Sequence, residues 1–225
     1  MYEAKKNIDK LKNGEPTFFL DPNLEKEIVN KFKGDINIFR PYEEAERIII
    51  YRDLKPRVSL FKIITKEKLR HQDIMGSILS LNIKKEVLGD IIVDDNNYYF
   101  YILESMNNYI LSYFNKVRNI NITLEELPLD HLKNYKRKYK EIIVNVKSNR
   151  VDLIVSKLTG LSRRVVKEMI SNKDIILNYQ VLTNNSYQFK ENDIFSIRGY
   201  GKYKYVEIIN KTKKNNYLVK CLKYI

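Results

Sequence analysis

The chain has a single cysteine, Cys221, which excludes an internal disulfide and fits a reducing compartment. It has two histidines, His71 and His131, too few to build a zinc site of clustered Cys and His. Among its seven glycines there is no phosphate-cradling run ending in Lys and Ser/Thr. Gly199-Tyr200-Gly201-Lys202 falls between strand candidates and reads as a turn, with close approach of backbone and Lys202 to a phosphate as its functional alternative. No stretch approaches the roughly 18 apolar residues of a membrane span, and the first residues lack an apolar signal region. Asp90 has no second carboxylate placed for acid–base work. His71 heads a helix, where capping or packing is its simplest role. The expectation is a soluble, cytoplasmic protein with no catalytic residue, metal or cofactor. Nothing in the pattern indicates a coiled coil, so a monomer is expected.

Positive charge, by contrast, is plentiful and uneven. The 225 residues carry a net charge of +13. Residues 141–225 hold 16 Lys and Arg against 7 Asp and Glu, an excess of nine, and so carry most of it. Nucleic acid is the acidic partner that such a tail fits best.

Within that tail, residues 149–202 have a definite order. Arg150-Val151-Asp152 opens one helix, with Val151, Ile154, Val155 and Leu158 at one-face spacing and Gly160 as its left-handed stop. Ser162 caps a second helix that begins at Arg163-Arg164. At about 100° per residue, Arg163, Lys167 and Arg164 span an arc of about 100°. Val165, Met169, Val166 and Ile170 occupy a separate one. Strands follow at 175–177 and 194–198, with two more at 203–209 and 217–222. A basic arc opposite an apolar one is how a small fold meets a phosphate backbone.

The front of the chain reads as an αβ segment over residues 1–55. It has a polar helix, a second helix started by Asp21-Pro22 and stopped at Gly34, and short strands at 36–39 and 47–51. Residues 56–148 read as a βαββαβ plait: strands 58–64, 88–93, 98–103 and 141–146, helices 71–81 and 106–117. Residues 124–140 then form the connection before the last strand. Tyr98-Tyr99-Phe100-Tyr101 alternates, so two rings either face outward for base stacking or pack. Residues 149–225 form the third domain, and the class is α+β. Lys84 and Lys85 sit in a loop. The run 133–140 places Lys136, Arg137 and Lys138 between Tyr135 and Tyr139, a mixture that suits RNA because cations neutralise phosphate while rings stack on bases.

The tail resembles the alpha-L RNA-binding domain named after ribosomal small-subunit protein S-four. The carrying residues are Arg150-Val151-Asp152, Ser162-Arg163, Asn178, Asn192-Asp193 and Arg198. Asn192 stands for a usual Gly and is compatible with positive φ; Lys173-Asp174 stands where a Gly is usual. The front resembles the YlmH family of bacterial ribosome-associated proteins. Here the carrying residues are Phe19-Leu20-Asp21-Pro22, Ala45-Glu46-Arg47, His71 to Leu79 and Ile83 to Ile91. The resemblance implies a non-catalytic protein that binds the large ribosomal subunit, with ribosomal RNA and tRNA as partners, in quality control of stalled chains. The candidate RNA contacts on the tail are Arg150, Ser162, Arg163, Arg164, Lys167, Lys173, Asn178, Arg198 and Lys202. Lys84, Lys85, Lys136, Arg137 and Lys138 are secondary candidates. Two other readings remain: an RNA-modifying enzyme of the pseudouridine-synthase kind with an appended binding domain, and a cell-division or membrane-surface adaptor.

Overall fold

The computed structural model describes residues 2–213 and 215–225, and the chain divides into two compact units, Met1–Lys136 and Arg137–Ile225. The first unit contains α1 (Tyr2–Lys12), α2 (Pro22–Lys31), β1 (Asn37–Phe39), β2 (Ile49–Tyr51), β3 (Val58–Ile64), α3 (His71–Ser80), β4 (Leu88–Asp94), β5 (Asn97–Leu103), α4 (Asn107–Tyr113), β6 (Lys116–Val117), β7 (Ile120–Asn121) and β8 (Thr123–Leu127). The second contains β9 (Tyr139–Val146), α5 (Val151–Thr159), α6 (Arg163–Ser171), β10 (Ile175–Leu177), β11 (Gln180–Val181), β12 (Ile194–Ile197), β13 (Gly201–Lys211) and β14 (Tyr217–Tyr224). The fold is mixed α+β with antiparallel sheets.

In the first unit a four-stranded sheet runs in the order β4-β5-β3-β8. Alternation along its strands sends side chains to two faces. Phe61, Ile63, Phe100 and Ile102 pack with Ile74 and Ile78 of α3 and Ile110 of α4. Leu60, Ile92, Tyr99 and Tyr101 pack with Phe19, Tyr42, Ala45 and Ile49. Residues 1–55, expected as a separate domain, therefore share a core with the sheet. Asp21 caps α2 as expected, accepting from the Asn23 and Leu24 N–H groups at 3.0 Å.

Three sequence expectations are corrected here. Tyr99 and Tyr101 are buried beneath the N-terminal segment, so the packing role holds and neither ring is presented for stacking. The helix expected over 106–117 ends at Tyr113. The buried Phe114 ring packs edge-on against Phe100, and the chain reverses through Arg118 at φ 54° to form the β6–β7 hairpin. The fourth strand of the sheet is β8, not residues 141–146. With two exposed glutamates, Glu125 and Glu126, β8 has the look of a connection, and its pairing with β3 is what makes it a strand.

Three of the four YlmH-like motifs of the front, those around Phe19, Arg47 and Lys85, meet at one junction. Arg47 donates to the backbone oxygens of Phe19 (2.9 Å) and Lys85 (3.1 Å). Phe19 N–H donates to Glu86 O at 2.9 Å. Buried Asp90 accepts from the Tyr42 hydroxyl at 2.6 Å and from Glu46 N–H at 2.8 Å. Gly89 lies against Phe19 and Tyr101 so closely that a Cβ there would sit 2.7 Å from Tyr101 Cβ. These residues hold the fold together.

In the second unit six strands run β11-β10-β12-β13-β14-β9. β9 pairs with β14 from Tyr139↔Tyr224 to Val146↔Tyr217. Helices α5 and α6 lie on one face, where Val151, Ile154, Val155, Val166 and Ile170 join Val144, Phe195, Tyr203, Tyr205, Val219 and Cys221. Gly160 ends α5 at φ 76°, and Ser162 Oγ accepts from Val165 N–H at 3.3 Å to start α6.

Candidate nucleic-acid interface

The arc on α6 has the arrangement that its spacing required. Arg163, Arg164 and Lys167 are exposed, Val166 and Ile170 are buried, and Val165 and Met169 lie between. Their electrostatic circumstances differ. Asp152, without exposed surface, receives Arg150 Nε and Nη2 at 3.1 Å each, and Arg163 Nε and Nη2 at 3.1 and 2.7 Å. Burial pushes the Asp152 carboxyl up. The hydrogen bonds and charges of Arg150 and Arg163 outweigh that and hold it below its ordinary value. The two arginines are thus fixed in place, with side chains still 32% and 50% exposed. Arg164 is 87% exposed and touches Glu168 only at 3.7 Å. A pair so open holds its guanidinium weakly.

After α6 the chain turns through Lys173 at φ 63°, so the left-handed geometry is kept there without glycine. Asn192 likewise adopts φ 68°. Exposed Arg198 pairs with Asp174 at 2.9 Å. Asn178 and Tyr179, at φ 46° and 65°, form the two-residue turn between β10 and β11.

Asn178 is committed to the fold. Its amide donates to Asp193 Oδ1 at 2.8 Å and accepts from Ile194 N–H at 2.9 Å. Buried Asp193 also receives the Tyr187 hydroxyl and Lys190 N–H, both at 2.8 Å. Ser162 Oγ serves as the helix cap. Lys202 Nζ lies 4.9 Å from the Tyr179 ring centre and 5.0 Å from that of Tyr224.

The structure also gathers cations that sequence reasoning passed over. A cleft beside α5 is lined by Lys147, Lys157 and Arg163, with Asn145, Ser156 and Asn216; no acidic residue lines it among the described residues. The signal for Lys157 was present. It lies seven residues after Arg150, about 20° away around the helix.

In the first unit, Lys84 and Lys85 are exposed at a short turn before β4. Arg70 and Arg118 both approach Asp73, at 2.8 and 3.7 Å. The basic run is split between the units: Lys136 closes the first, while Arg137 and Lys138 open the second. Among the described residues there is no group of three or more His, Cys, Asp or Glu placed to hold a metal ion, and no helix is long and apolar enough to cross a membrane.

Residues 57–131 match the family model described as "Putative RNA-binding domain in YlmH". This segment is YlmH-like. The matched YlmH segment begins one residue before β3 and ends after β8, which agrees with β8 as the closing strand of that sheet. A Bacillus subtilis (strain 168) protein named "Ribosome-associated protein quality control protein P2" is 24% identical over 219 residues, which span 90% of this chain and 84% of the relative. The solved structure titled "Cell division protein ylmH from Streptococcus pneumoniae" is 24% identical. It covers 59% of this chain and 91% of that one, with a TM-score of 0.46.

Proposed function

We propose that this chain is a cytoplasmic, non-catalytic RNA-binding protein that acts on the large ribosomal subunit, contacting ribosomal RNA and tRNA during quality control of stalled translation. The observation that carries the reading is the exposed cationic surface of α6 and the turn after it, Arg164, Lys167 and Lys173, beside two arginines held by a buried carboxylate. Such a surface meets phosphates by position and charge, and selectivity then comes from RNA shape. The RNA-binding description of residues 57–131 and the name of the Bacillus relative support the same reading. The geometry supports a division of labour in this reading. Arg164, Lys167 and Lys173 reach phosphates, Arg150 and Arg163 present a fixed guanidinium pair, and Asn178 and Ser162 shape the loops that carry them. The second unit is of the alpha-L type in this reading, and the four-stranded sheet of the first is a plait that closes on β8.

The test is co-sedimentation with purified large subunits. The Arg164→Ala, Lys167→Ala, Lys173→Ala triple variant leaves the internal ion pairs of Asp152 untouched, so it is expected to keep its melting temperature and to lose most subunit association. Undiminished association would refute the proposal.

A further inference from the structure

The face of the second unit's sheet turned away from α5 and α6 bears a row that no stretch of sequence contains. Tyr203, Tyr205, Val219 and Cys221 point into the core beneath the helices. By strand alternation their neighbours Lys202, Lys204, Leu222 and Tyr224 take the other face. Tyr224 of β14 is paired with Tyr139 of β9, and the two rings meet edge to face with centres 5.1 Å apart. Lys202 of β13 sits between the rings of Tyr224 and Tyr179, at 5.0 and 4.9 Å. The Arg137 guanidinium lies 5.2 Å from the Tyr224 ring centre. Tyr139 is 36% exposed, and Lys138 and Lys140 beside it are exposed. Two acids share this face: Glu141 is paired with Lys220 at 2.7 Å, and Glu207 of β13 lies opposite the same lysine.

Rings on neighbouring strands with cations between them have the composition of a surface for unpaired nucleotides. Each base has a face to stack on a ring, and each phosphate needs a cation near that ring. We infer that this row, Tyr139, Tyr224, Lys202, Tyr179 and Arg137, is a stacking platform for single-stranded RNA, separate from the phosphate-binding arc on α6. The inference rests on the RNA-binding reading above and adds the strandedness of one of its ligands. It joins Arg137 and Lys202, which lie 65 positions apart, in one site.

The experiment measures anisotropy of a labelled oligouridine, and separately of a labelled RNA duplex of the same length, with the full chain. The Tyr139→Ala, Tyr224→Ala double variant is expected to lose affinity for oligouridine by about fivefold or more per ring, the range of a lost base–ring stack, and to bind the duplex as wild type does. The Tyr139→Phe, Tyr224→Phe variant keeps the rings and is expected to keep both affinities. Unchanged oligouridine binding by the alanine variant overturns the platform, as does an equal loss on both RNAs. A wild-type chain that binds neither RNA overturns the RNA-binding reading, and the platform with it. Loss of duplex binding on the α6 variant, together with retained oligouridine binding, separates the two sites.

Discussion

Arg163 donates Nη2–H to Asp152 Oδ2 at 2.7 Å, across the gap between two helices, to a carboxylate with no exposed surface. This bond gives Arg163 a structural duty besides any RNA contact, so Arg163→Ala tests two things at once. Removing the carboxylate is the cleaner probe of the fold. Asp152→Asn is expected to destabilise the second unit by about 1.5–3 kcal/mol, the range for hydrogen bonds to a charged group. The arginine side chains are 32% and 50% exposed, which keeps the loss below that of a wholly buried pair. The Asp152 pKa in the folded chain lies below its ordinary 3.8. Its contribution is therefore complete above that value and is lost as pH falls through the lower folded one. Urea midpoints measured through this acid range should fall for the wild type, and Asp152→Asn should lack that part of the decline.

Salt dependence measures how many phosphates the surface neutralises. Five contacts give log affinity against log salt a slope of about −3.5 to −4.5. The Arg164, Lys167, Lys173 triple variant is expected to lose about 2 to 3 units of that slope. Affinities for one RNA across a salt series check this directly, and an unchanged slope would place the contacts elsewhere.

Gly89 is a packing constraint. A Cβ there would lie 2.7 Å from Tyr101 Cβ and 2.9 Å from the Phe19 ring, inside contact distance. Gly89→Ala is expected to cost about 1–3 kcal/mol. Thermal unfolding followed by circular dichroism should show a lowered melting temperature.

Asn178 offers a test that distinguishes fold from contact. Asn178→Gly keeps the positive φ accessible while removing both amide hydrogen bonds. The loss should be about 1–3 kcal/mol, because Asp193 and Ile194 N–H each lose a partner. RNA affinity below the new melting temperature should stay at the wild-type value. A specific loss of affinity in a stable variant would return Asn178 to the binding surface.

Much of the second unit was written locally. Ser162 and Gly160 mark helix ends through backbone needs that two or three residues satisfy, and 3.6-residue spacing alone separates Val166 and Ile170 from Arg163 and Lys167. The chain around Asn192 kept its left-handed turn because the demand there is on one φ angle. Other assignments depend on partners far away. Residues 139–146 look like a strand in any context; which sheet they join was decided by β14, some 80 residues on. Thr123–Leu127 has two exposed glutamates and becomes a strand only by lying beside β3. The rings of Tyr99 and Tyr101 alternate as an open stacking face would, and the core they share with Phe19 and Tyr42 closes it.

The candidate site divides along the same line. Sequence by itself determined which cations share a helix face, because that is a matter of residue spacing along one helix. Only tertiary structure decided that Asp152 anchors Arg163, that Asn178 is bound to Asp193, and that Arg137, Lys202 and Tyr224 meet. Those relationships come from strand pairing and helix packing between distant segments, and no local pattern encodes such a distance.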